Sequence, residues 1–331
     1  MTSQTFTRLL VPRFTAYREL TDDKSTYARM IQKMVKDENR NNLIIDDVRK
    51  TLTEGRSPIV LTNLTTHVET LANALAPYCK YVVTLIGSES AREKHQKMEL
   101  LQGISPTEPL VIVATGKYVG EGFDYPRLDT LFLALPVSWK GIIAQYAGRL
   151  HREYPGKKEV RIYDYIDIRI PMCDVMYKRR LRGYASVGYQ IKSNEPMNIF
   201  NESHSVIFNG HTYLGKFFND LSQAKRSVVI SATKLWFSKR SSVLDMLKDL
   251  LARGVEVIAV IRSDLEKEER LKETGANVRV NDSLAIDVVI IDKSLIWYGS
   301  VNYLGYNTDE NNAICIYDLK LAENILEVLY T

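Results

Sequence analysis

The sequence PLVIVATGKYVGEGFDYPRLDTLFLAL, residues 109–135, decides the fold. It contains two apolar runs, the first of which ends at Thr115, and a loop with three glycines and Asp124 lies between them. Strands that are apolar on both faces are typical of a parallel sheet covered by helices. Because ligands bind where the strands of such a sheet end, the loop indicates a ligand site. A purely structural glycine-rich connection is the alternative.

The same alternation of strands and helices extends in both directions from this stretch. Residues 57–62, 80–87 and 159–167 are further apolar runs of strand length, and the segments between them carry apolar residues at helical spacing. We therefore predict an α/β fold with a parallel sheet and helices on both faces. We assign residues 1–190 to this domain, including a polar helical lead-in.

A second α/β domain is predicted after a polar segment. Residues 191–205 have no clear periodicity and contain proline and asparagine, which is typical of a linker. Strand-like and helical patterns then alternate again over residues 206–331. Two domains agree with a length of 331 residues.

Composition restricts the class of protein. The chain is 45% hydrophobic and 25% charged with a net charge of +4, which fits globular domains and permits nucleic acid as a partner without establishing it. No run approaches the ~20 apolar residues of a membrane span, and the N-terminus has no signal-peptide pattern. The three cysteines are far apart, so we expect neither a disulfide framework nor a metal site. We expect a cytoplasmic protein with no membrane partner.

A second motif, QYAGRLHRE, covers residues 145–153. Four of its residues share one face of the predicted helix, because they are three, one and three positions apart: Gln145, Gly148, Arg149 and Arg152. Arginine is suited to stabilising the charge on a phosphoryl group during its transfer. The pattern therefore favours a polyphosphate site, with a solvated basic helix face as the alternative.

Together these motifs resemble the second RecA-like domain of superfamily 2 helicases of the DEAD/DEAH type. Residues 114–126 are similar to motif V, residues 145–152 match the Q-x-x-G-R-x-x-R pattern of motif VI, and residues 57–71 are similar to motif IV. The resemblance covers roughly residues 8–190. It implies an ATP-dependent helicase that moves on nucleic acid, with DNA rather than RNA as the expected strand.

The resemblance also implies roles for individual residues. Arg149 and Arg152 would face the γ-phosphate, one of them as the arginine finger, and Gln145 would couple the nucleotide to the motif V loop. The residues expected to contact ATP are Gly122, Asp124 and Gly148. The residues expected to contact the nucleic-acid backbone are Thr62, His67, Thr115 and Gly116. Leu64 stands where related sequences often carry arginine, which weakens the case for a phosphate contact there.

The sequence contains neither G-x-x-x-x-G-K-[ST] nor a D-E-A-H-like carboxylate pair. In superfamily 2 helicases both belong to the first RecA-like domain, which holds the P-loop lysine and Mg²⁺. We therefore expect this chain to be the C-terminal part of a longer protein. ATP and Mg²⁺ would bind only together with an upstream RecA-like domain, and the chain alone would have negligible ATPase activity.

Residues 285–302, AIDVVIIDKSLIWYGSVN, resemble the motif H-x-K-x-x-x-x-D, six residues, G-S-x-N of phospholipase D-like enzymes. We call five of these positions the phosphodiesterase frame: Ala285, Asp287, Asp292, Ser300 and Asn302. Ala285 replaces the nucleophilic histidine and cannot attack phosphorus. Asp287 replaces the lysine and would repel phosphate. We therefore expect a catalytically degenerate domain, with rescue by His204 or His211 as the alternative.

Two stretches leave alternatives open. Residues 176–189 interleave basic and aromatic side chains, which fits either a nucleic-acid grip or a helix with a solvated basic face. Trp236 and Phe237, which have basic neighbours, fit either a nucleic-acid loop or packing on the core. Three functions follow as hypotheses: part of a helicase, a phospholipase D-like nuclease, or a non-catalytic module that forms a homodimer or binds DNA through the second domain.

Overall fold

The computed structural model describes residues 6–19, 26–120, 123–137, 142–192, 204–205, 207–236, 242–305 and 307–330. The chain divides into two compact units, Met1–Gly183 and Tyr184–Thr331. The predicted domain boundaries at residues 190 and 206 remain predictions.

The first unit is built on one sheet. In chain order its strands are β1 (Thr7–Phe14), β2 (Pro58–Thr62), β3 (Tyr81–Leu85), β4 (Leu110–Thr115), β5 (Thr130–Leu133), β6 (Glu159–Ile166), β7 (Gln190–Lys192) and β8 (His204–Ser205). Its helices are α1 (Tyr27–Met34), α2 (Glu38–Thr53), α3 (Thr65–Leu75), α4 (Ala91–Gly103), α5 (Gly116–Gly120), α6 (Ile142–Leu150) and α7 (Pro171–Ser186). The strands lie side by side in the order β3-β4-β2-β5-β6-β1-β7-β8.

The six strands from β3 to β1 pair in parallel. β7 and β8 pair with each other in antiparallel fashion. Both belong to this sheet, although the division at Gly183 places their residues in the second unit. They lie at the two ends of the segment predicted as a linker.

The burial of β4 shows that this sheet is covered on both faces. Every residue of the strand is buried. Val111 and Val113 pack in one cluster with apolar residues of α2 and α3. Ile112 and Ala114 alternate with them, so they face the opposite side of the sheet, and they are buried too. The prediction of an α/β fold with a parallel sheet between helices is confirmed.

The second unit has a sheet of its own. In chain order its strands are β9 (Phe208–Asn209), β10 (Ser227–Ala232), β11 (Glu256–Ile261), β12 (Asn277–Val280), β13 (Val288–Ile291), β14 (Leu295–Gly299) and β15 (Asn312–Tyr317). Its helices are α8 (Tyr213–Ser222), α9 (Ser242–Ala252), α10 (Leu265–Lys272) and α11 (Leu319–Tyr330). The strand order is β12-β11-β10-β13-β14-β15-β9. β10, β11 and β12 pair in parallel, and the remaining pairs are antiparallel.

β13 and β14 form the strand pair predicted from the sequence. Three residues, Asp292, Lys293 and Ser294, connect them, and the first two have φ values of 49° and 56°. These two are the central residues of a turn in which the Ser294 N–H donates to the carbonyl of Ile291, and positive φ at both gives a twist that matches that of the strands. Trp297 on β14 is fully buried and packs against the rings of Tyr213 and Phe217. The hairpin therefore lies in the middle of the core of this unit.

Three further properties concern the whole chain. All three cysteines are buried free thiols: Cys79, Cys173 and Cys315. None of the helices in the described ranges is long and apolar enough to cross a membrane. Within the same ranges, no group of three or more His, Cys, Asp or Glu side chains could hold a metal ion.

Candidate nucleotide and nucleic-acid sites

Three of the predicted nucleic-acid residues lie together at the carboxyl edge of the first sheet. Thr62 ends β2 and Thr115 ends β4, and the two residues are in register. Gly116 follows Thr115 directly. The Thr115 hydroxyl is buried and accepts a hydrogen bond from the backbone N–H of Gly87, 3.1 Å away. The side chain of Thr115 therefore joins the ends of two neighbouring strands.

Thr62 and His67 are buried and bonded to each other. The Thr62 hydroxyl lies 2.8 Å from Nδ1 of His67, and Nε2 of His67 lies 3.0 Å from Oδ1 of Asn41. Nδ2 of Asn41 donates to the carbonyl of Val35, so its Oδ1 accepts from Nε2, and Nδ1 accepts from Thr62. Burial, together with the charge of Arg40, lowers the pKa of His67 to about 3. This neutral ring links three elements, and neither side chain of the pair is exposed to a ligand.

Gly116 begins α5 and packs against α6. The hydroxyl of Tyr146 occupies the place that a Cβ at position 116 would take, and the ring Cζ lies 3.5 Å from that place. Burial raises the pKa of Tyr146 to about 12. Nothing in the sequence singles out Tyr146, because an aromatic residue on an amphipathic helix is usually part of the core. It is nevertheless the contact between motif V and motif VI.

Arg149 lies in the last turn of α6, but Arg152 lies two residues beyond the end of that helix, so the predicted helix face does not extend to Arg152. Arg149 is partly exposed, and within the described residues its guanidinium has no hydrogen-bond or ion-pair partner. Nε of Arg152 lies 3.3 Å from Oδ1 of Asp124, and both side chains are about half exposed. A Cβ at Gly148 would meet nothing within 4 Å. An exposed ion pair contributes at most about 1 kcal/mol, so a phosphate group could displace Asp124 from Arg152.

Two predicted site residues cannot be placed in the same way. Gly122 lies outside the described residues, and for Gln145 only the backbone is described, in α6. Their roles stay predictions.

A buried lysine joins the end of α6 to the motif V loop. Nζ of Lys157 donates to the carbonyls of Leu150 at 3.1 Å, Arg152 at 2.8 Å and Pro126. The last carbonyls of a helix favour a cation, whereas burial lowers the pKa of Lys157 to about 8. Nothing in the sequence distinguishes Lys157 from a surface residue, because it follows Pro-Gly and precedes Lys158.

The chain that leads from β5 into α6 is held at the carbonyls of residues 134, 136 and 137. The three donors come from three different helices and are, in that order, Arg40, the Tyr27 hydroxyl and Arg180. The chain that follows β5 is therefore held by side chains that lie far away in sequence. Only the structure identifies them.

Arg40 and Arg180 are themselves fixed by buried carboxylates at the end of β6. Arg180 donates two hydrogen bonds to Asp164 at 2.7 and 2.8 Å, and Arg40 donates two to Asp167 at 2.9 and 3.2 Å. All four side chains are at most 1% exposed. Arg180 belongs to the basic and aromatic stretch 176–189, and its burial fits neither a nucleic-acid grip nor a solvated basic face.

The geometry of the first unit makes α6 a link between two sites. We call residues 115–126 the motif V segment. Tyr146 touches its first end at Gly116, while Arg152 and Lys157 touch its other end at Asp124 and Pro126. A shift of α6 would therefore act on both ends of the segment.

The carboxylates of the phosphodiesterase frame bond within the second unit. Asp292 accepts hydrogen bonds from the backbone N–H groups of residues 225–227. Burial alone would raise the pKa of Asp292, but these donors outweigh it and lower the pKa. Asp287 accepts from the backbone N–H of Thr233 at 2.7 Å and from the Thr233 hydroxyl. Both carboxylates therefore tie the start and the end of β10 to the frame.

Ser300 and Asn302 are also engaged by the fold. The Ser300 hydroxyl accepts from the backbone N–H of Asn312 at 2.9 Å. Asn302 donates to the carbonyl of Lys234 at 2.7 Å and accepts from the N–H of Leu304 at 3.0 Å. The groups that would hold a phosphate are thus used to close turns.

Ala285 and the two histidines complete the description of the frame. Ala285 is only partly buried and offers no polar side-chain atom. The imidazole of His211 lies 3.2 Å from the exposed carboxylate of Asp309. The side chain of His204 is outside the described residues.

Comparisons with known proteins point to viral helicase-like proteins. No family model matches the chain. It is 26% identical over 139 residues to transcript termination protein A18 of fowlpox virus, covering 41% of this chain and 29% of that protein. It is 27% identical over 192 residues to putative helicase 161L of Invertebrate iridescent virus 6, covering 51% of this chain and 38% of that protein. The matches therefore span less than two fifths of the length of either relative.

Two solved structures show likeness to part of the chain. T4 UvsW superposes with a TM-score of 0.45 at 19% identity, over 58% of this chain and 42% of that chain. Nuc, a phospholipase D family member from Salmonella typhimurium, superposes with a TM-score of 0.32 at 21% identity, over 37% of this chain and 86% of that chain.

Proposed function

We propose that this chain supplies the arginine-bearing half of an ATP-driven nucleic-acid motor of the superfamily 2 helicase type. The observation that carries the proposal is the segment formed by α6 and the residues that follow it up to Lys157, which presents Arg149 and Arg152 to solvent and touches both ends of the motif V segment. The similarity to a putative viral helicase supports the same assignment.

In the proposed mechanism the arginines act on a nucleotide held by a second RecA-like domain. That domain supplies the P-loop lysine and the Mg²⁺ that neutralise the phosphates. Arg149 and Arg152 approach the γ-phosphate, where a guanidinium stabilises the charge that develops during transfer. The open space beside Gly148 leaves room for this approach. The carboxylate of Asp124 then releases Arg152 and accepts a hydrogen bond from a hydroxyl of the ribose. Gln145 and Gly122 keep the roles that the resemblance implies.

We propose that nucleic acid, with DNA as the expected strand, lies at the carboxyl end of β4. The group that would contact its backbone is the partly exposed Gly116. We leave Thr62, His67 and Thr115 out of this surface because all three are buried. When Arg152 leaves Asp124 for a phosphate, α6 can move against Gly116 through Tyr146. Through this contact, a change at the nucleotide site would alter the nucleic-acid site.

The test measures nucleic-acid-stimulated ATP hydrolysis when the chain is combined with a RecA-like domain that carries the P-loop. We expect Arg149→Ala or Arg152→Ala to lower the turnover rate by roughly 10³-fold or more, as loss of an arginine finger does. Arg92→Ala removes an exposed arginine of α4 and is the matched control. Equal rates for all three variants would refute the proposed role of α6.

For the second unit we propose a non-catalytic, phospholipase D-like scaffold. Ala285 has no nucleophile, and the other positions of the phosphodiesterase frame are used in hydrogen bonds within the unit. A homodimer through this unit belongs to the same proposal. No observation favours the alternative of an active phosphodiesterase. We expect no cleavage of a labelled oligonucleotide in single-turnover reactions, and cleavage that Ser300→Ala abolishes would contradict this assignment.

A further inference from the structure

One tryptophan of the second unit stands out by its exposure. Trp236 is 73% exposed, the highest value among the large hydrophobic side chains in the described ranges. Exposed apolar side chains are common, but a solvated tryptophan forgoes a large gain from burial. The alternative in which this aromatic side chain packs on the core is therefore wrong for Trp236.

The segment that carries Trp236 is held residue by residue. We call residues 233–236 the Trp236 loop. Thr233 bonds to Asp287, and the carbonyl of Lys234 accepts from Asn302. Leu235 is buried in the core, and the backbone N–H of Trp236 donates to the carbonyl of Leu304 at 3.1 Å. Exposure of the indole is therefore not the result of a loose loop.

Two positions of the phosphodiesterase frame do this holding. Asp287 occupies the lysine position of the motif, and Asn302 is its asparagine. In an active enzyme these positions face the phosphate. Here Asp287 uses both carboxylate oxygens on Thr233, and Asn302 uses its amide on the backbone of the loop. These two positions of the frame therefore support an exposed aromatic ring instead of contacting a phosphate.

The side chain of Lys234 adds a cation to the same loop. Lys234 is exposed, and among the described residues no carboxylate pairs with its ammonium group. Leu235 between the two exposed residues points into the core, so Lys234 and Trp236 both lie on the solvent side. An exposed aromatic ring beside an unpaired cation is the combination that binds single-stranded nucleic acid, because every base has a face for stacking and a phosphate nearby.

We propose that the Trp236 loop is a binding site for single-stranded nucleic acid, in which Trp236 stacks on an unpaired base and Lys234 contacts a phosphate. The site would give the motor a second contact with its strand, carried by the second unit. The inference takes from the proposed function only that nucleic acid is the substrate. It requires neither ATP nor a partner domain.

The experiment measures binding of a short fluorescein-labelled oligothymidylate to the full chain by anisotropy, at low salt and without nucleotide. We expect Trp236→Ala to weaken binding about tenfold or more, and Trp236→Phe to stay within about threefold, since stacking needs only an aromatic face. Lys234→Gln should reduce the slope of log affinity against log salt concentration by about the amount that one phosphate contact contributes. Leu319→Ala, which removes another exposed apolar side chain at 58% exposure, is the matched control and should bind like the wild type.

Three results would overturn the proposal. The first is that the wild-type chain fails to bind the oligonucleotide. The second is that Trp236→Ala binds as the wild type does. The third is that Trp236→Ala leaves oligonucleotide binding unchanged but lowers the molar mass of the assembly measured by light scattering. That result would assign the Trp236 loop to a contact between proteins. Loss of binding in Trp236→Ala, together with an ATPase rate indifferent to Arg149→Ala, would support this site and contradict the proposed motor role.

Discussion

His67 illustrates how a polar residue at the end of a strand can serve the fold. By position in motif IV it is expected at the nucleic-acid track, yet it bonds to Thr62 and Asn41 and is 1% exposed. The sequence shows which residues follow a strand, but the direction of a side chain depends on its partners. Asn41 lies 26 positions away, and no local pattern connects it to His67.

The depressed pKa of His67 predicts a pH dependence of stability. The ring has a pKa of about 3 in the folded chain against 6.5 ordinarily, so the unfolded chain binds more protons between these values. The stability that depends on the neutral ring is complete above pH 6.5 and is lost as the pH falls toward 3. We expect the free energy of unfolding in urea to fall more steeply over this range for the wild type than for His67→Gln. Parallel curves would contradict the assignment.

The contact between Gly116 and Tyr146 leads to a prediction about stability when either residue is substituted. Gly116→Ala places a methyl group where the Tyr146 hydroxyl lies, and overpacking of this kind costs about 1–3 kcal/mol. Tyr146→Phe removes that hydroxyl and leaves the ring carbon at an ordinary distance of 3.5 Å. We expect the double variant to regain most of the free energy of unfolding that Gly116→Ala loses. Additive losses in the two variants would show that the pair does not make this contact.

The helices and strands differ in how far the sequence predicts them. Long apolar runs such as β4 are predictable, because a strand buried on both faces is apolar along most of its length. The hairpin of β13 and β14 is predictable for the same reason. The course of the chain after β5 is not, because residues 134–137 are held by Tyr27, Arg40 and Arg180, whose partners lie up to 127 positions away.

The connection into α6 gives a prediction at the level of elements. Arg180→Met leaves the buried carboxylate of Asp164 without its partner, and breaking such a pair costs about 3–5 kcal/mol. Arg179→Met changes the exposed neighbour on the same helix and should shift the free energy of unfolding by no more than about 0.5 kcal/mol. Chemical denaturation of both variants makes the comparison. Similar, small losses of the free energy of unfolding in both variants would show that Arg180 does not stabilise the chain that leads to motif VI.

On the scale of the whole chain, the repeated change between strand and helix patterns predicted two α/β units, and the structure has two. The strand order could not be predicted, since it depends on which strands pair across long separations. Similarly, the spacing of the phosphodiesterase frame indicates only a resemblance, and it does not predict that Asp287 and Asn302 hold the Trp236 loop. Composition does not reveal which hydrogen-bond partner a side chain adopts.

The central claim is that this chain holds the arginines of an ATPase site and that another domain holds the P-loop. ATP hydrolysis should therefore be measured in the presence of DNA for this chain, for a RecA-like domain that carries the P-loop, and for the two together. We predict background rates for each alone and a DNA-stimulated rate for the combination. DNA-stimulated hydrolysis by this chain alone that Arg149→Ala abolishes, or a combined rate no greater than the sum of the separate rates, would contradict the claim.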